Sequence, residues 1–347
     1  MQRFYRVTAP DYPFANPPAP GTTIEVAPGV HWLRMALPFQ LDHINLWLLE
    51  DGDGWLQIDT GLGNEPTRKA WEKIIAEKIG AKPVKRVLVT HYHPDHAGNA
   101  AWLCKRFDAP LLMTRGEFLT VHAARNSTAG YTTEAQLELF RANGLDEASG
   151  AELLLRGGLY RSMVPDFPVS HRRLFEGERV VAGGREWKVI LGYGHAPEHV
   201  SLHCEALNVL ISGDMLLPRI STNVAVRPID PHSNPLRLFL ESIRRYRELP
   251  ADLLVLPSHG LPFRGAHARI AQLEAHHTER LAELQAACTI APRTANDVLE
   301  LLFKRKLDTS QIFFAMGEAI AHLHYLHYDG QLARNVGADG VARFAPG

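Results

Sequence analysis

The chain has 347 residues, of which 37 are Lys or Arg and 38 are Asp or Glu. This length predicts about two domains with ample material for a core. Because the charge of the whole chain is balanced, it does not indicate a polyanion as partner. The three cysteines, Cys104, Cys204 and Cys288, are far apart and form no Cys-x-x-Cys pair, which argues against a disulfide framework or a thiolate metal site.

The first elements predicted in chain order are an extended segment and a set of short strands. The prolines of residues 7–21 favour an extended surface chain. Apolar segments bounded by turn residues then predict four strands, at Thr22–Val26, Val30–Met35, Asn45–Glu50 and Trp55–Asp59. The sequence Asp-Gly-Asp-Gly at 51–54 predicts a hairpin turn, and residues 66–79 predict an amphipathic helix that Pro66 opens.

Residues 90–98 have the sequence Thr-His-Tyr-His-Pro-Asp-His-Ala-Gly and follow an apolar run at 84–89 that predicts a buried strand. His91 and His93 point the same way if the chain is still extended there, because side chains alternate along a strand. Asp95 and His96 begin a helix and can reach a second point close by. Three imidazoles and a carboxylate on one turn therefore indicate a metal site.

One loop rarely completes a metal site, so further ligands are expected at the ends of other strands. Three more apolar runs end in a metal-capable residue flanked by Gly or Pro. The runs 187–191, 209–211 and 253–256 precede His195, Asp214 and His259, respectively.

Between these runs, residues 97–107 predict a helix, and 110–113, 169–175 and 186–191 predict strands. Residues 115–166 instead predict a helical insertion, with helices at 115–125, 133–143 and 148–160. The insertion lies between the fourth and fifth ligand positions in chain order, so it could cover the metals. We hypothesise that some of its residues contact substrate, while a solvated helical face stays an equal alternative for each. These candidates are Arg125, Tyr131, Arg156, Tyr160 and Arg161.

A separate module is predicted after the helix at 234–248. Residues 266–287 and 294–303 predict helices, Ser310 is expected to cap a third, and 331–334 and 341–344 predict a hairpin. Residues 266–347 contain eight Lys and Arg against nine Asp and Glu. Because phosphate binding needs a basic surface, we expect this module to pack against the catalytic domain rather than to bind nucleic acid.

The order of these motifs resembles the metallo-β-lactamase-fold superfamily of metal-dependent hydrolases. The resemblance implies an α/β fold, an αββα sandwich of two sheets with helices outside, over residues 1–265, and a small winged-helix-like module over 266–347, as in one branch of the superfamily. It also implies two metal sites bridged by one carboxylate. The first metal would be held by His91, His93 and His195, the second by Asp95, His96 and His259, and both by Asp214. Asp59 would steady the ligands, and His199 would orient a ligand or relay a proton, with a purely structural hydrogen bond as the alternative.

Nitrogen-rich ligands with a bridging carboxylate suit two Zn²⁺ ions, although Fe or Mn also fits such a site. A hydroxide shared by two metals needs no Ser or Cys nucleophile. We therefore predict a binuclear hydrolase of a small ester, thioester or lactone, with Asp59, Asp95 and His199 as catalytic residues beside the ligands. The alternative is a phosphodiesterase or endoribonuclease of the winged-helix branch. A di-iron oxygen-reducing protein fits less well, because that group has a carboxylate where His93 stands.

The expected partner is a small-molecule substrate, without nucleic acid and without a membrane. The first six residues lack the apolar stretch of a signal peptide, and no run is long enough to span a bilayer, so a cytoplasmic location is expected. The oligomeric state, including a homo-oligomer, is left open.

Overall fold

The computed structural model describes residues 10–80, 82–154, 159–304 and 307–347. The strands are β1 Ile24–Ala27, β2 Val30–Ala36, β3 His43–Asp51, β4 Gly54–Ile58, β5 Val84–Leu88, β6 Leu111–Met113, β7 Arg172–Arg173, β8 Arg179–Ala182, β9 Arg185–Gly192, β10 His199–Cys204, β11 Val209–Gly213, β12 Leu254–Pro257, β13 Ala333–Val336 and β14 Ala342–Ala345. The helices are α1 Glu65–Ile74, α2 Pro94–Ala97, α3 Ala100–Phe107, α4 Arg115–Arg125, α5 Thr133–Arg141, α6 Glu147–Leu154, α7 Leu159–Met163, α8 Pro235–Arg244, α9 Ala266–Ile290, α10 Leu299–Leu302 and α11 Thr309–Tyr328.

Two sheets form the larger part of the fold. One has seven strands in the order β1 to β7, antiparallel from β1 to β4 and parallel from β4 to β7. The other has five strands in the order β12-β11-β10-β9-β8, in which only β11 and β12 are parallel. The hairpin predicted at residues 51–54 joins β3 to β4 and is confirmed, with Asp51 paired to Gly54.

The two sheets pack face to face through one hydrophobic core. On the seven-stranded sheet, Trp32 and Trp47 face it, and on the five-stranded sheet, Trp187 and Val200 face it. Along each strand, every second side chain points away from this core to the outer face of its sheet. α3 packs against β5. This arrangement confirms the predicted sandwich of two sheets.

The strands that precede the metal-capable residues run in a common direction within each sheet. β4 and β5 are parallel and end next to Asp59 and the turn at residues 90–98. β11 and β12 are parallel as well, and they end next to Asp214 and His259. Parallel strands bring their carboxyl ends to the same edge of a sheet, which collects side chains from distant parts of the chain.

The helix expected at residues 97–107 is broken into α2 and α3. A Cβ atom at Gly98 would lie 2.3 Å from the backbone nitrogen of Gly63, so two backbone segments meet where the helix would continue. Asn99 fixes this approach, because its backbone N–H donates to Thr60 Oγ1 at 3.1 Å and its side chain donates to the Leu62 carbonyl. The sequence does not reveal this approach, because Gly63 lies far from Gly98 in the chain.

Two strands of the structure were not predicted, and one predicted strand is shorter in the structure. β8 and β10 were not predicted, whereas the strand expected at residues 169–175 is reduced to β7. The predicted cap at Ser310 is wrong: Asp308 caps α11, because its carboxylate accepts from Gln311 N and the Gln311 side chain accepts from Asp308 N. The helix predicted at residues 294–303 opens with reciprocal bonds between Thr294 and Asp297: Thr294 N donates to Asp297 Oδ2 at 2.8 Å, and Asp297 N donates to Thr294 Oγ1 at 3.1 Å.

The described residues divide into two compact units. The first runs up to Arg125 and continues with Tyr160–Thr222 and Ser242–Ala271, and the second comprises Asn126–Leu159, Asn223–Glu241 and Gln272–Gly347. This division differs from the boundary expected at residue 265, because most of the helical insertion at 115–166 joins the second unit. Its Leu137 and Phe140 are buried in a core with Met316 and Ile320 of α11.

The second unit also contains the expected C-terminal hairpin, formed by β13 and β14. The winged-helix assignment itself stays a prediction. In the part of the chain that is described, no helix is both long and apolar enough to cross a membrane.

Candidate metal centre

Seven His and Asp side chains from the first unit converge in two neighbouring groups. Each group has ligand-type atoms that lie within 4.8 Å of one another. The first group is His91, His93, His195 and Asp214, and the second is Asp95, His96 and His259. The structure thus brings together the seven residues that the sequence assigned to the metals, and divides them as the resemblance implies.

The first group is a cluster of ring nitrogens. His91 Nε2 lies 2.9 Å from His93 Nδ1 and 3.2 Å from His195 Nε2. His195 Nε2 in turn lies 3.4 Å from Asp214 Oδ2. A single N–H cannot serve three converging nitrogens, whereas one cation can accept a lone pair from each.

The second group is built around carboxylates. His259 Nε2 lies 3.5 Å from Asp95 Oδ2 and 3.5 Å from Asp214 Oδ1. His96 Nε2 lies 3.7 Å from Asp95 Oδ2 and 3.5 Å from Asp214 Oδ1. Asp214 therefore turns one oxygen to each group, which is the placement that a bridging carboxylate requires.

Three of the histidines are oriented from behind by hydrogen bonds at Nδ1. His96 Nδ1 lies 2.8 Å from Asp59 Oδ2, His259 Nδ1 lies 2.8 Å from the His43 carbonyl, and His91 Nδ1 lies 3.1 Å from Thr90 Oγ1. With the proton on Nδ1, each ring directs its Nε2 lone pair into the centre. Metal-binding histidines are oriented in this way in proteins.

The buried polar atoms of the centre support the same fit. His96 Nε2 and Asp214 Oδ1 are buried without a hydrogen-bond partner among the described residues. Leaving such atoms unpaired costs about 1–3 kcal/mol each. A bound metal ion removes this cost, so the residues present fit a pair of divalent cations.

The charges of the centre also favour cations. Burial lowers the pKa of His91, and the neighbouring His96 and His93 lower it further, so this ring is neutral and can offer its lone pair. Burial also lowers the pKa of His96, but Asp59, Asp95 and Asp214 outweigh it and raise the pKa to about 10. The carboxylates therefore create a site where a positive charge is strongly stabilised.

Asp59 holds both the turn of the first group and a ligand of the second. Its Oδ1 accepts from Thr90 N at 2.7 Å, and its Oδ2 faces His96 Nδ1. Asp59 is 1% exposed and has φ 57°, a left-handed conformation that is uncommon outside Gly and is tolerated best by Asp and Asn. It lies behind the ligands, where the sequence placed it.

His199 is fully buried behind Asp214. Its Nε2 accepts from Asp214 N at 3.1 Å, so the proton of the neutral ring is on Nδ1. Burial and the neighbouring His195 hold the pKa of His199 well below its ordinary value. This geometry matches the structural alternative for His199, because the ring positions the backbone of the bridging residue.

The residues proposed to contact substrate are placed as follows. Arg125 donates through Nε to Val164 O at 2.8 Å and through Nη2 to Pro165 O at 2.7 Å, so its guanidinium holds backbone of its own unit. Tyr160 donates to the Tyr92 carbonyl, in the metal turn. Arg161 is exposed on α7, Tyr131 belongs to the second unit, and Arg156 lies outside the described residues. A role in substrate binding stays a prediction for these residues.

Two residues that support the centre were missed from the sequence. Asn45 is fully buried and donates to Pro257 O at 2.9 Å and to Gly260 O at 3.0 Å, which fixes the loop of His259. Glu117 is fully buried in α4, and burial raises its pKa to about 8. One signal could have identified it: Glu117 shares the buried helix face of Val121 and Ala124, where a charged residue is unusual.

Comparisons with known proteins identify the families that the chain matches. Residues 40–259 match the Metallo-beta-lactamase superfamily, and residues 281–347 match a family described as Metallo-beta-lactamase-like, C-terminal domain. A crystal structure of a beta-lactamase domain protein from Burkholderia ambifaria is 49% identical and superimposes with a TM-score of 0.90, covering 97% of this chain and 98% of that chain.

The curated relatives include proteins with functional names. The probable metallo-hydrolase YqjP of Bacillus subtilis (strain 168) is 27% identical over 300 residues, which are 85% of this chain and 91% of that protein. A linear primary-alkylsulfatase of Pseudomonas sp. (strain ATCC 19151) is 24% identical over 234 residues, which are 63% of this chain and 42% of that protein.

Proposed function

The chain belongs to the metallo-beta-lactamase superfamily and is a metal-dependent hydrolase, and on this premise we propose that it cleaves a small ester, thioester or lactone with two divalent metal ions. The observation that carries the proposal is the position of Asp214 between two complete ligand groups. Its two oxygens lie 3.4 Å from His195 Nε2 and 3.5 Å from His259 Nε2.

We propose Zn²⁺ as the native metal, with Fe or Mn as alternatives, because imidazole nitrogen supplies five of the seven ligands. When bound, the two ions supply Lewis acidity and a water that is nucleophilic at neutral pH. Because the ions supply the nucleophile, no Ser or Cys of the protein has to attack the substrate.

The roles of the protein residues follow from their contacts. His91, His93 and His195 would hold one ion, and Asp95 and His259, together with His96, the other. Asp95 is partly exposed, with 18% of its side chain accessible, so a water molecule can reach it. We propose that Asp95 accepts a hydrogen bond from the attacking water and orients it.

Apolar side chains on the ligand-bearing loops favour a substrate with an apolar body. Phe39 is 52% exposed on the turn before His43, and Ile220 is 47% exposed on the segment after Asp214. Tyr193, two residues before His195, is 36% exposed. Single exposed apolar residues are common, but Tyr193 and Ile220 on two ligand-bearing loops, with Phe39 before the residue whose carbonyl faces His259 Nδ1, suit an acyl chain.

A sulfate ester is a second candidate substrate. The linear primary-alkylsulfatase among the relatives acts, by its name, on an alkyl sulfate. An alkyl sulfate and an alkyl thioester share the apolar body, so the apolar loops do not distinguish them. Sulfate carries a full negative charge, which a carbonyl does not, and this difference can be tested with matched substrates.

The alternative of an RNA substrate has less support. Several cationic side chains of the C-terminal residues are already paired with carboxylates, such as Arg343 with Asp339 at 2.7 Å and Arg280 with Glu283 at 2.9 Å. Pairing leaves less positive charge for phosphates. A small-molecule substrate and a cytoplasmic location stay part of the proposal.

The test is a substrate panel on protein purified without chelator. Medium-chain acyl thioesters, lactones, a phosphodiester and a primary alkyl sulfate of the same chain length should be compared at equal metal content. We expect the highest kcat/KM for an acyl substrate, loss of activity on dialysis against chelator, and recovery with Zn²⁺.

The matched control is His91→Ala, which removes one ligand of the first group. Activity that survives both this change and chelation comes from a contaminant or from another site, and would contradict the proposal. A higher kcat/KM for the alkyl sulfate than for the acyl substrates would show that a sulfate ester, the second candidate, is the substrate. RNA binding that weakens steeply with salt would favour the nuclease alternative.

A further inference from the structure

The turn that carries His91 and His93 is held by groups outside its own motif. Residues 89–93 belong to no strand or helix, so their backbone groups need other partners. Thr90 N donates to Asp59, and the Thr90 carbonyl accepts from Val200 N at 2.9 Å. The peptide groups at Tyr92, between the two ligands, are bonded to two other side chains.

Glu117 and Tyr160 hold these peptide groups of Tyr92. Tyr92 N donates to Glu117 Oε2 at 2.9 Å, and the Tyr92 carbonyl accepts from the Tyr160 hydroxyl. Both atoms lie on the backbone between His91 and His93, so a shift at Tyr92 would move both rings.

The second oxygen of Glu117 holds a different turn. Glu117 Oε1 accepts from Glu198 N at 2.6 Å, and Glu198 follows His195 by three residues and precedes His199. Two residues just before Glu117 also bond to Glu198. Thr114 Oγ1 donates to the Glu198 carbonyl at 3.0 Å, and Gly116 N donates to Glu198 Oε2 at 2.8 Å. One carboxylate thus connects the two turns that supply the three histidines of the first group.

We propose that Glu117 is a positioning residue that sets the distance between the His91–His93 pair and His195, and thereby the affinity of the first metal position. The inference rests on the proposed two-metal function. It also assigns Glu117 a task that Asp59 does not perform, since Asp59 contacts neither Tyr92 nor Glu198 among the described residues. Water cannot replace Glu117, because the side chain is fully buried.

The bridge is made by the ionised form of Glu117. Two backbone N–H groups point at its two oxygens, and only the ionised carboxylate offers an acceptor on both sides. Burial raises the pKa of Glu117, whereas these two N–H groups lower it. Glutamine has one oxygen and one NH₂ group, so Glu117→Gln would set a donor against a donor on one side. One turn would then lose its anchor, and the His91–His93 pair would shift relative to His195.

The experiment measures Zn²⁺ binding to apoprotein by competition with a chromophoric chelator, with one metal position removed at a time. His259→Ala removes a ligand of the second group and leaves the first position to be measured. His93→Ala removes a ligand of the first group and leaves the second position to be measured. Glu117→Gln is then introduced into each background.

We expect Glu117→Gln to weaken Zn²⁺ binding by about 10- to 100-fold in the His259→Ala background. In the His93→Ala background, we expect it to change the affinity by less than about threefold, since the second group is oriented by other residues. Glu117→Asp keeps two acceptor oxygens and should recover part of the lost affinity. The matched control is Glu318→Gln, which replaces a carboxylate of the second unit and should change neither affinity.

Equal weakening of both positions, or no weakening of the first, would overturn the proposal. If Glu117→Gln does not fold, Glu117→Asp takes its place, because it keeps both acceptor oxygens but is one methylene too short to reach both N–H groups. It should weaken the first position and spare the second, and unchanged affinity in the His259→Ala background would overturn the proposal in that case. Failure of the parent chain to bind Zn²⁺ at either position would instead refute the proposed function.

Discussion

Replacing Gly213 by alanine should be one of the most damaging single-methyl additions in this protein. Gly213 ends β11 directly before Asp214 and has φ 55°. A Cβ atom there would lie 2.4 Å from both Cε1 and Nε2 of His199, whose ring is fully buried. The ring cannot move without breaking the bond from Asp214 N to Nε2.

Three costs contribute to the expected loss of stability. The left-handed backbone costs an alanine about 1–2 kcal/mol, overpacking a buried site costs about 1–3 kcal/mol, and a broken hydrogen bond costs about 0.5–1.5 kcal/mol. The free energy of unfolding should therefore fall by about 2.5–6.5 kcal/mol in Gly213→Ala. Gly177→Ala is the matched control, since Gly177 has φ 75° with nothing within 4 Å of its added Cβ, and it should lose only about 1–2 kcal/mol.

The assay is urea unfolding of each variant in chelator, so that metal binding does not contribute to the difference. Gly213→Ala should also be introduced into a His199→Ala background, where the imidazole ring that clashes with the added methyl group is absent. There the added methyl group should cost no more than it costs at Gly177. Equal losses in Gly213→Ala and Gly177→Ala would show that the contact with His199 has no energetic effect and would refute the reasoning.

Three other predictions concern the metals and pH. Asp214→Ala should lower metal content and kcat more than any single His change, because its oxygens face both groups, and elemental analysis that still finds two ions would contradict this. Zn²⁺ at about a hundredfold its Kd should stabilise the apoprotein by about 2.7 kcal/mol per ion, and scanning calorimetry without a rise in Tm would count against a metal site. Burial raises the pKa of Glu318 to about 7 from 4.5, despite a hydrogen bond from Asn223. Its protonated form therefore stabilises the fold fully below about pH 4.5, and this contribution is lost as pH rises through about 7. The difference in unfolding free energy between wild type and Glu318→Gln should fall by about 1–3 kcal/mol over that window, and a difference independent of pH would be inconsistent with the buried acid.

The ligand positions were predictable because each depends on local sequence. A strand that ends in His, Asp or Gly can be recognised from its apolar run and its turn residues, and the ligands follow within a few positions. His91, His195, Asp214 and His259 were found in this way, each a few residues after the end of a separate strand. Their convergence followed only from the resemblance to a known family, since spacing alone does not say which strands are neighbours.

The features that could not be predicted depend on contacts between distant segments. The break between α2 and α3 arises where Gly98 meets Gly63, and neither residue signals the other in the sequence. β10 was missed because it contains three polar residues, His199, Ser201 and His203, and therefore has no continuous apolar run. The helix at 133–141 has an ordinary amphipathic pattern, which does not specify the core that it joins.

The metal turn combines both kinds of information, and this has a consequence for how its function is encoded. The nine residues at 90–98 supply four ligands, but the backbone between His91 and His93 is fixed by Glu117 and Tyr160, which lie outside that motif. Asp59, also outside it, fixes the preceding residue. An irregular turn has no ladder of its own hydrogen bonds, so the position of its side chains is only as well defined as the groups that bind its backbone. The motif therefore supplies four of the seven proposed ligands, whereas we infer that the distance between the His91–His93 pair and His195 is set by Glu117, a buried carboxylate of another element.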